Sequence, residues 1–372
     1  MTDQPARDQT DPRWSADALR QRGIDSSMAG SDADLEAAVQ LLVDLGHQPE
    51  ALVDVDLVGL AAQTRIRPAG TIEPREIYGA QTEFGRRLRL ALGLAPTADD
   101  FRLTPDELAA GKFFRNLALM IGEDEVIALL RVIGASATRV ARAVISVLRV
   151  RLEAADDESE TRLTDGLEDF AWFIDLTLDP FLAANSTMLR HHLAELASDG
   201  SEWRVDDGGN ATLEHRVIGF ADLVGFTAFT EQASAQEFLV AIQGFEEDVY
   251  AAVLDNGGSV IKLIGDEVMF TAPDARSALD IALELSAVGR RSGDLEGMRV
   301  SLASGQVLST GGDYFGTVVN IAARIVNLAF THAIVVTAAV AEDLAGVVEL
   351  ESLGAHALRG ISQPVELLRL RP

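Results

Sequence analysis

The chain has 372 residues, 48% of them hydrophobic, and a formal net charge of −27 at pH 7. So acidic a surface repels nucleic acid and anionic membranes, so neither is expected as a partner. The sequence contains no cysteine, which excludes disulfides, thiolate chemistry and cysteine-based zinc sites. The N-terminus lacks signal-peptide character, and no apolar run reaches the ~18 residues of a membrane span, so we expect a soluble, cytoplasmic protein.

Residues 1 to about 200 are predicted to be helical. One helix begins at Ser31, where Asp34 three residues later gives a capping-box-like start. A second begins at Thr104, because Pro105 suits the first position of a helix. These residues contain no catalytic motif that we recognise.

Two longer helical patterns follow in the same half. The segment 123–152 predicts a long helix that breaks or kinks near Gly134, and the segment 165–196 predicts another with a kink or break at Pro180. The second includes the apolar stretch "FAWFIDLTLDPFL", which suits either core packing or the lining of a lipid pocket.

The stretch "ASDGSEWRVDDGGNATLEH" has the composition of a linker, since Gly, Asp, Ser and Asn cluster in it. We place the domain boundary there. The expected domains are residues 1–204, helical, and residues 205–372, of different character.

The second half alternates between strand and helix patterns. The order β-α-β-β-α-β is that of a ferredoxin-like unit, so the fold class is α+β, with an all-helical N-terminal domain before a ferredoxin-like domain. The predicted elements are strands at 214–222 and 298–307, a hairpin turning at Ile264–Gly265, helices at 234–254 and 274–289, and then a helix at 316–328 and strands at 333–336, 347–351 and 364–370.

An acid interrupts the apolar strand pattern of "HRVIGFADLVGFTAFTE". Asp222 needs a partner if it is buried, and an Arg, backbone N–H groups or a metal ion would serve. In a ferredoxin-like sheet the third strand lies beside the first, so Asp266 at the start of the third strand should neighbour Asp222. Two adjacent carboxylates favour a cation between them, and magnesium suits oxygen ligands. The alternative is a helix cap at Asp222 and a turn acid at Asp266.

The residues after Asp222 offer backbone donors. Gly225 permits a tight turn, and the N–H groups of Phe226 and Thr227 begin a short helix. Such a turn is a candidate phosphate cradle.

Four further polar residues stand out in the second half. Lys262 lies in the second strand and Asp313 in "TGGDYFG", while Asn320 and Arg324 are four apart and share a helix face. Arg324 could stabilise charge on a transferred phosphate. Read singly, each is more simply a surface or turn residue.

Taken together, these residues resemble the catalytic core of class III nucleotidyl cyclases. The similarity covers roughly 210–370 and rests on "FADLVGFT", "KLIGDEVMF" and "DYFGTVVNIAAR". It implies an adenylyl cyclase that makes 3′,5′-cyclic AMP and pyrophosphate from ATP. The family's sites lie between two catalytic domains, so the resemblance also implies a homodimer.

The resemblance implies a role for each candidate residue. Asp222, Asp266 and the Leu223 carbonyl would bind two magnesium or manganese ions. Lys262 and Asp313 would read the adenine edge. The remaining two roles fall on one helix: Asn320 would orient the ribose and Arg324 would steady the transition state.

One position departs from the family pattern. Some members carry a phosphate-binding Lys in a "KGKG"-like stretch, where this chain has "LRGIS" with Ile361. Arg359 is a candidate substitute for it.

The helical half resembles the regulatory domain of soluble mycobacterial-type cyclases, which in some members restrains the catalytic dimer under the control of pH. His191 and His192 near the linker are candidate sensors, because histidine ordinarily titrates near pH ~6.5. A proton or a lipid is therefore a possible effector, and two half-exposed helical histidines are the simpler interpretation. The rival functions are a catalytically silent nucleotide-binding regulator and a diguanylate synthase. The second is disfavoured because "GGDEF" is absent.

Overall fold

The structure is a computed structural model of the chain. Contacts divide it into two compact units, Met1–Trp203 and Arg204–Pro372, which are described separately. The residues that the structure describes are 15–22, 24, 32–44, 47–48, 52, 66–67, 72, 83–94, 102–156, 163–198, 213–291, 297–329 and 333–371.

The first unit is helical wherever it is described at length. Thr104 caps α4 with its side chain and Glu107 reciprocates, which confirms the start predicted there. Ser31, the other predicted start, lies outside the described residues. No helix in the described ranges is long and apolar enough to cross a membrane. The helices are α1 Ala16–Gln21, α2 Asp32–Asp44, α3 Glu83–Ala91, α4 Pro105–Ile121, α5 Glu123–Asp156 and α6 Leu163–Ser198.

The two long helices are continuous, so the predicted breaks are wrong, whereas the kinks given as the alternative stay a prediction. Gly134 lies inside α5, and a Cβ there would come 2.6 Å from the carbonyl oxygen of Ala91, at the end of α3. The glycine therefore allows close helix packing rather than ending the helix. Pro180 lies inside α6, which continues on both sides of it.

The second unit alternates as predicted, with two short elements that the sequence pattern missed, β5 (Asp313–Phe315) and α11 (Ala338–Asp343). A 3-10 turn, Val326–Leu328, extends α10. The elements are β1 Leu213–Leu223, α7 Phe226–Gln232, α8 Ala235–Asp255, β2 Ser259–Ile264, β3 Glu267–Ala272, α9 Ala275–Arg291, β4 Met298–Thr310, β5 Asp313–Phe315, α10 Thr317–Ile325, β6 Ile334–Thr337, α11 Ala338–Asp343, β7 Leu350–His356 and β8 Val365–Leu370.

The strands form one mixed sheet in the order β2-β3-β1-β4-β6-β8-β7, and β5 pairs with the far end of β4. Only β4 and β6 are parallel among the described pairs. The third strand lies between the first and the second, as a ferredoxin-like fold requires. The fold prediction, α+β with helices first, is confirmed.

Apolar side chains cover both faces of the sheet. On one face Ala221, Phe270 and Val300 pack against α8, α9 and α11. On the other, Ile218 and Phe220 pack against α10, and the buried Ser301 hydroxyl donates to the Ala322 carbonyl of α10 at 2.7 Å. Because side chains alternate along a strand, Asp222 belongs to the α10 face.

Candidate active site

The partner of Asp222 in the structure is Arg299, near the start of β4. The Nε of Arg299 donates to Oδ2 of Asp222 at 2.6 Å, and its Nη2 lies 2.5 Å from the same oxygen. Both side chains are largely covered, with 15% of Asp222 and 27% of Arg299 exposed. The charged hydrogen bonds from Arg299 therefore offset the cost of removing the Asp222 carboxylate from water.

Three charged residues lie in one row across the sheet. Asp222 is directly opposite Glu267 on β3 and Arg299 on β4. Directly opposite residues of neighbouring strands share a face, so all three belong to the face that carries α10. Glu267 is half-buried, and burial raises its pKa above the ordinary value, with the negative charges of Asp222 and Asp266 adding to the effect.

Asp266 lies in the turn between β2 and β3, next to the end of β1. The backbone N–H of Leu223 donates to the Asp266 carbonyl at 3.2 Å, so the predicted neighbourhood of the two acids is found. Burial raises the pKa of Asp266, the charge of Asp222 raises it further, and Arg299 opposes both.

The pair fits a divalent cation. Two neighbouring carboxylates and a nearby backbone carbonyl are hard oxygen ligands, which Mg²⁺ and Mn²⁺ prefer. No cluster of three or more metal-ligating side chains occurs among the described residues. Water and a substrate phosphate would then complete the coordination, as is common for magnesium.

The turn after β1 has the conformation that the sequence suggested. Gly225 has φ 84° and precedes α7 without a side-chain cap. The Phe226 ring is buried, 6.2 Å from the Phe229 ring and 5.8 Å from the Phe238 ring. Its side chain is thus part of the core, and the candidates for phosphate contacts remain the backbone groups of Gly225, Phe226 and Thr227.

Lys262 and Asp313 form an ion pair. The Lys262 ammonium on β2 lies 2.5 Å from Oδ2 of Asp313, where β5 begins, and Oδ1 of Asp313 accepts from the Tyr314 N–H at 2.8 Å. Both side chains are partly exposed, at 37% and 27%. The pair therefore presents an ammonium donor beside a carboxylate acceptor to an incoming ligand.

Arg324 is anchored within its own unit. It lies on α10, and its Nε donates to the backbone carbonyl of Arg359, in the turn between β7 and β8. Ile361 in the same turn packs into the apolar cluster around Ile325 and Leu358. Asn320, one turn earlier on α10, is exposed.

The candidate residues fall into separate groups. Among the described residues, no hydrogen bond or ion pair joins Asp222 or Asp266 to the Lys262–Asp313 pair or to Arg324. Sequence reasoning missed Arg299 and Glu267. The sequence gives no signal for Arg299, because its position opposite Asp222 follows only from the register between β1 and β4.

The candidate regulatory histidines lie on the exposed surface of α6. His191 Nε2 is 3.3 Å from Oε1 of Glu195, and His192 Nδ1 is 3.4 Å from Oε2 of the same residue. Two imidazoles thus share one carboxylate within a single helical turn.

Comparison with known proteins identifies the family of the second unit. Residues 211–368 match the adenylate and guanylate cyclase catalytic domain. A crystal structure of an adenylate/guanylate cyclase/hydrolase from Silicibacter pomeroyi is 25% identical and covers 44% of this chain and 99% of its own, with a TM-score of 0.40.

Relatives extend the similarity into the helical unit. A pH-sensitive adenylate cyclase of Mycobacterium tuberculosis is 30% identical over 363 residues, which are 92% of this chain and 89% of the relative. An adenylate cyclase of Streptomyces coelicolor is 29% identical over 86% of this chain and 83% of its own length. The chain belongs to the adenylate and guanylate cyclase family, the class III nucleotidyl cyclases.

Proposed function

We propose that the chain is an adenylate cyclase, which converts ATP to 3′,5′-cyclic AMP and pyrophosphate. The observation that carries this choice of nucleotide is the Lys262–Asp313 ion pair. An ammonium donor and a carboxylate acceptor match the ring nitrogen and the amino group of adenine, whereas guanine presents the reverse pattern. Relatives named adenylate cyclase support the same choice.

The chemistry requires charge neutralisation around the α-phosphate. Two divalent cations held by Asp222, Asp266 and the Leu223 carbonyl would activate the ribose 3′-hydroxyl and neutralise the phosphates. The 3′-oxygen displaces pyrophosphate from the α-phosphorus in line, and its proton leaves to solvent.

Residues of α10 and of the turn before α7 act on the rest of the nucleotide. Asn320 orients the ribose, and Arg324 stabilises the charge that develops on the phosphate. The backbone N–H groups after Gly225 face the phosphates.

The active form is a homodimer with shared sites. The separation of Asp222 and Asp266 from Lys262, Asp313 and Arg324 supports a site in which one protomer supplies the metal ligands and its partner the nucleotide-reading groups. Mixing Asp222→Ala chains with Arg324→Ala chains should restore one intact site per heterodimer. Activity from a strictly monomeric species contradicts the shared site.

The helical unit regulates the catalytic one. Residues 1–204 form the regulatory domain and residues 205–372 the catalytic domain, and the likeness to a pH-sensitive relative supports a proton as the effector. The shared carboxylate of Glu195 makes His191 and His192 the candidate sensors.

The test of the activity is product analysis. The full chain is incubated with ATP or with GTP in the presence of Mn²⁺, and the products are separated by chromatography. Cyclic AMP and pyrophosphate in equal amounts are expected from ATP, and Asp222→Ala is the matched inactive control. Cyclic GMP as the main product overturns the nucleotide assignment, and binding of ATP without turnover supports a silent regulator instead.

A further inference from the structure

The contact between Arg299 and Asp222 is one-sided. Both guanidinium nitrogens within reach, Nε and Nη2, contact the same carboxylate oxygen, Oδ2. Within the described residues, Oδ1 of Asp222 has no hydrogen-bond donor. The arginine therefore holds the carboxylate and leaves its second oxygen available to another ligand.

Two further acids, Asp266 and Glu267, lie beside the contact between Asp222 and Arg299. Asp222 is the second-last residue of β1, Asp266 lies in the turn before β3, Glu267 begins β3, and Arg299 is the second residue of β4. Three acids and one guanidinium carry two net negative charges when all are ionised. This excess is equal to the charge of one divalent cation.

Arg299 affects a nearby cation in two opposite ways. It orients Asp222, which favours binding. This favourable effect is small, because the short aspartate side chain has few rotamers and therefore little orientational freedom to lose. It also places a full positive charge on a carboxylate that would ligate the cation, which disfavours binding. The second effect is the larger one, because charge repulsion at close range in a largely covered site is strong.

We propose that Arg299 is the resident counterion of Asp222, and that its charge weakens the uptake of a divalent cation by the Asp222–Asp266 pair. Arg299 stabilises the buried carboxylate while the cation is absent. This inference rests on the proposed function, because the two aspartates are metal ligands only there.

The experiment measures binding of Mn²⁺ alone to the full chain, without nucleotide, by titration calorimetry. Arg299→Gln removes the charge and keeps an amide donor, whereas Arg299→Lys keeps the charge. The matched control is Arg276→Gln, because Arg276 forms an exposed pair with Asp280 on α9. Asp222→Asn, alone and combined with Arg299→Gln, reports whether binding occurs at the proposed site.

Arg299→Gln should bind Mn²⁺ on the order of tenfold more tightly than the wild type. Arg299→Lys and Arg276→Gln should bind like the wild type. Equal or weaker binding by Arg299→Gln, with binding that still depends on Asp222, overturns the counterion role and leaves the proposed function intact. If neither protein shows binding that depends on Asp222, the metal site itself fails and the inference fails with it.

A second measurement applies if Arg299→Gln does not fold without a cation. Mn²⁺ should then restore its circular dichroism spectrum, since the cation takes over the role of counterion. A variant that stays unfolded at saturating Mn²⁺ overturns the proposal.

Discussion

The catalytic and helical units use charge differently. In the catalytic unit the partners are distant in sequence and partly buried, 77 residues apart for Asp222 and Arg299 and 51 for Lys262 and Asp313. In the described part of α6, the histidines meet Glu195 within one exposed turn. Long-range covered pairs depend on the whole fold and cannot be re-formed with a neighbour, so substitutions there should have larger effects than on α6.

The largest expected effect is on activity at the carboxylate pair. Asp222→Asn keeps the shape of the side chain but removes a proposed metal ligand, and we expect kcat to fall on the order of 10²–10³-fold. Glu195→Gln on α6 is the matched change in the helical unit and should leave the maximal rate, taken at each variant's optimal pH, near the wild-type value. Cyclic AMP production measures both. Similar losses from the two variants would remove the contrast between the units.

Packing gives a second comparison, at a glycine in each unit. A Cβ at Gly219 would overlap the buried Phe270 ring, so Gly219→Ala should lower the free energy of unfolding by about 2–3 kcal/mol. A Cβ at Gly134 would overlap the backbone of Ala91 and Leu92, but alanine has the higher helix propensity. Gly134→Ala should therefore lower the free energy of unfolding by about 1–2 kcal/mol. Urea unfolding measures both.

The control for these glycines is Gly244, in the middle of α8. A Cβ there meets nothing within 4 Å, so Gly244→Ala should stabilise by about 1 kcal/mol. A neutral result at Gly219 would show that the sheet tolerates extra volume beneath it.

A smaller effect should appear in the pH dependence of stability. Burial raises the pKa of Glu267, so the stability that its protonated form contributes is present at low pH and is lost as pH rises through that elevated pKa. Glu267→Gln should therefore raise the thermal midpoint of the metal-free protein at pH 7. The gain should vanish below about pH 4, near the ordinary carboxyl pKa.

Glu351 provides a control of opposite sign. A hydrogen bond from Arg369 lowers the pKa of Glu351, so its ionised form contributes stability above the ordinary pKa and loses it as pH falls through the lowered value. Glu351→Gln should lower the midpoint at pH 7 and not at low pH. Scanning calorimetry at both pH values distinguishes the two signs.

The smallest effect at constant pH is expected on α6. The double variant His191→Ala/His192→Ala should keep the maximal rate but shift the pH profile of activity, because both imidazoles lie beside the Glu195 carboxylate. Rates across pH 5–8 test this. An unchanged profile excludes the pair as the sensor.

Topology was the part of the catalytic unit most accessible to sequence reasoning. The strand order follows from the alternation of elements, and it correctly brought Asp266 beside Asp222. The partner Arg299 was missed, because an arginine at a strand start carries no signal until the register is known. The elements β5 and α11, of three and six residues, are too short for periodicity to detect.

The helical half was less predictable at two positions. Gly134 and Pro180 were expected to interrupt helices on local propensity alone. Gly134 instead allows the backbone at the end of α3 to pack closely against α5. Such a tertiary contact cannot be read from the local sequence pattern.

The separation of β5 from the carboxylates has a consequence for engineering. Asp313 stands on a three-residue strand paired with the far end of β4, and Lys262 on β2, whereas Asp222 and Arg299 meet where β1 ends and β4 begins. Under the proposed function, the pair that reads the base and the residues that act on the phosphates therefore lie on different strand segments. On that proposal, substitutions at Lys262 and Asp313 should change the accepted nucleobase and leave the residues that close the ring unaltered.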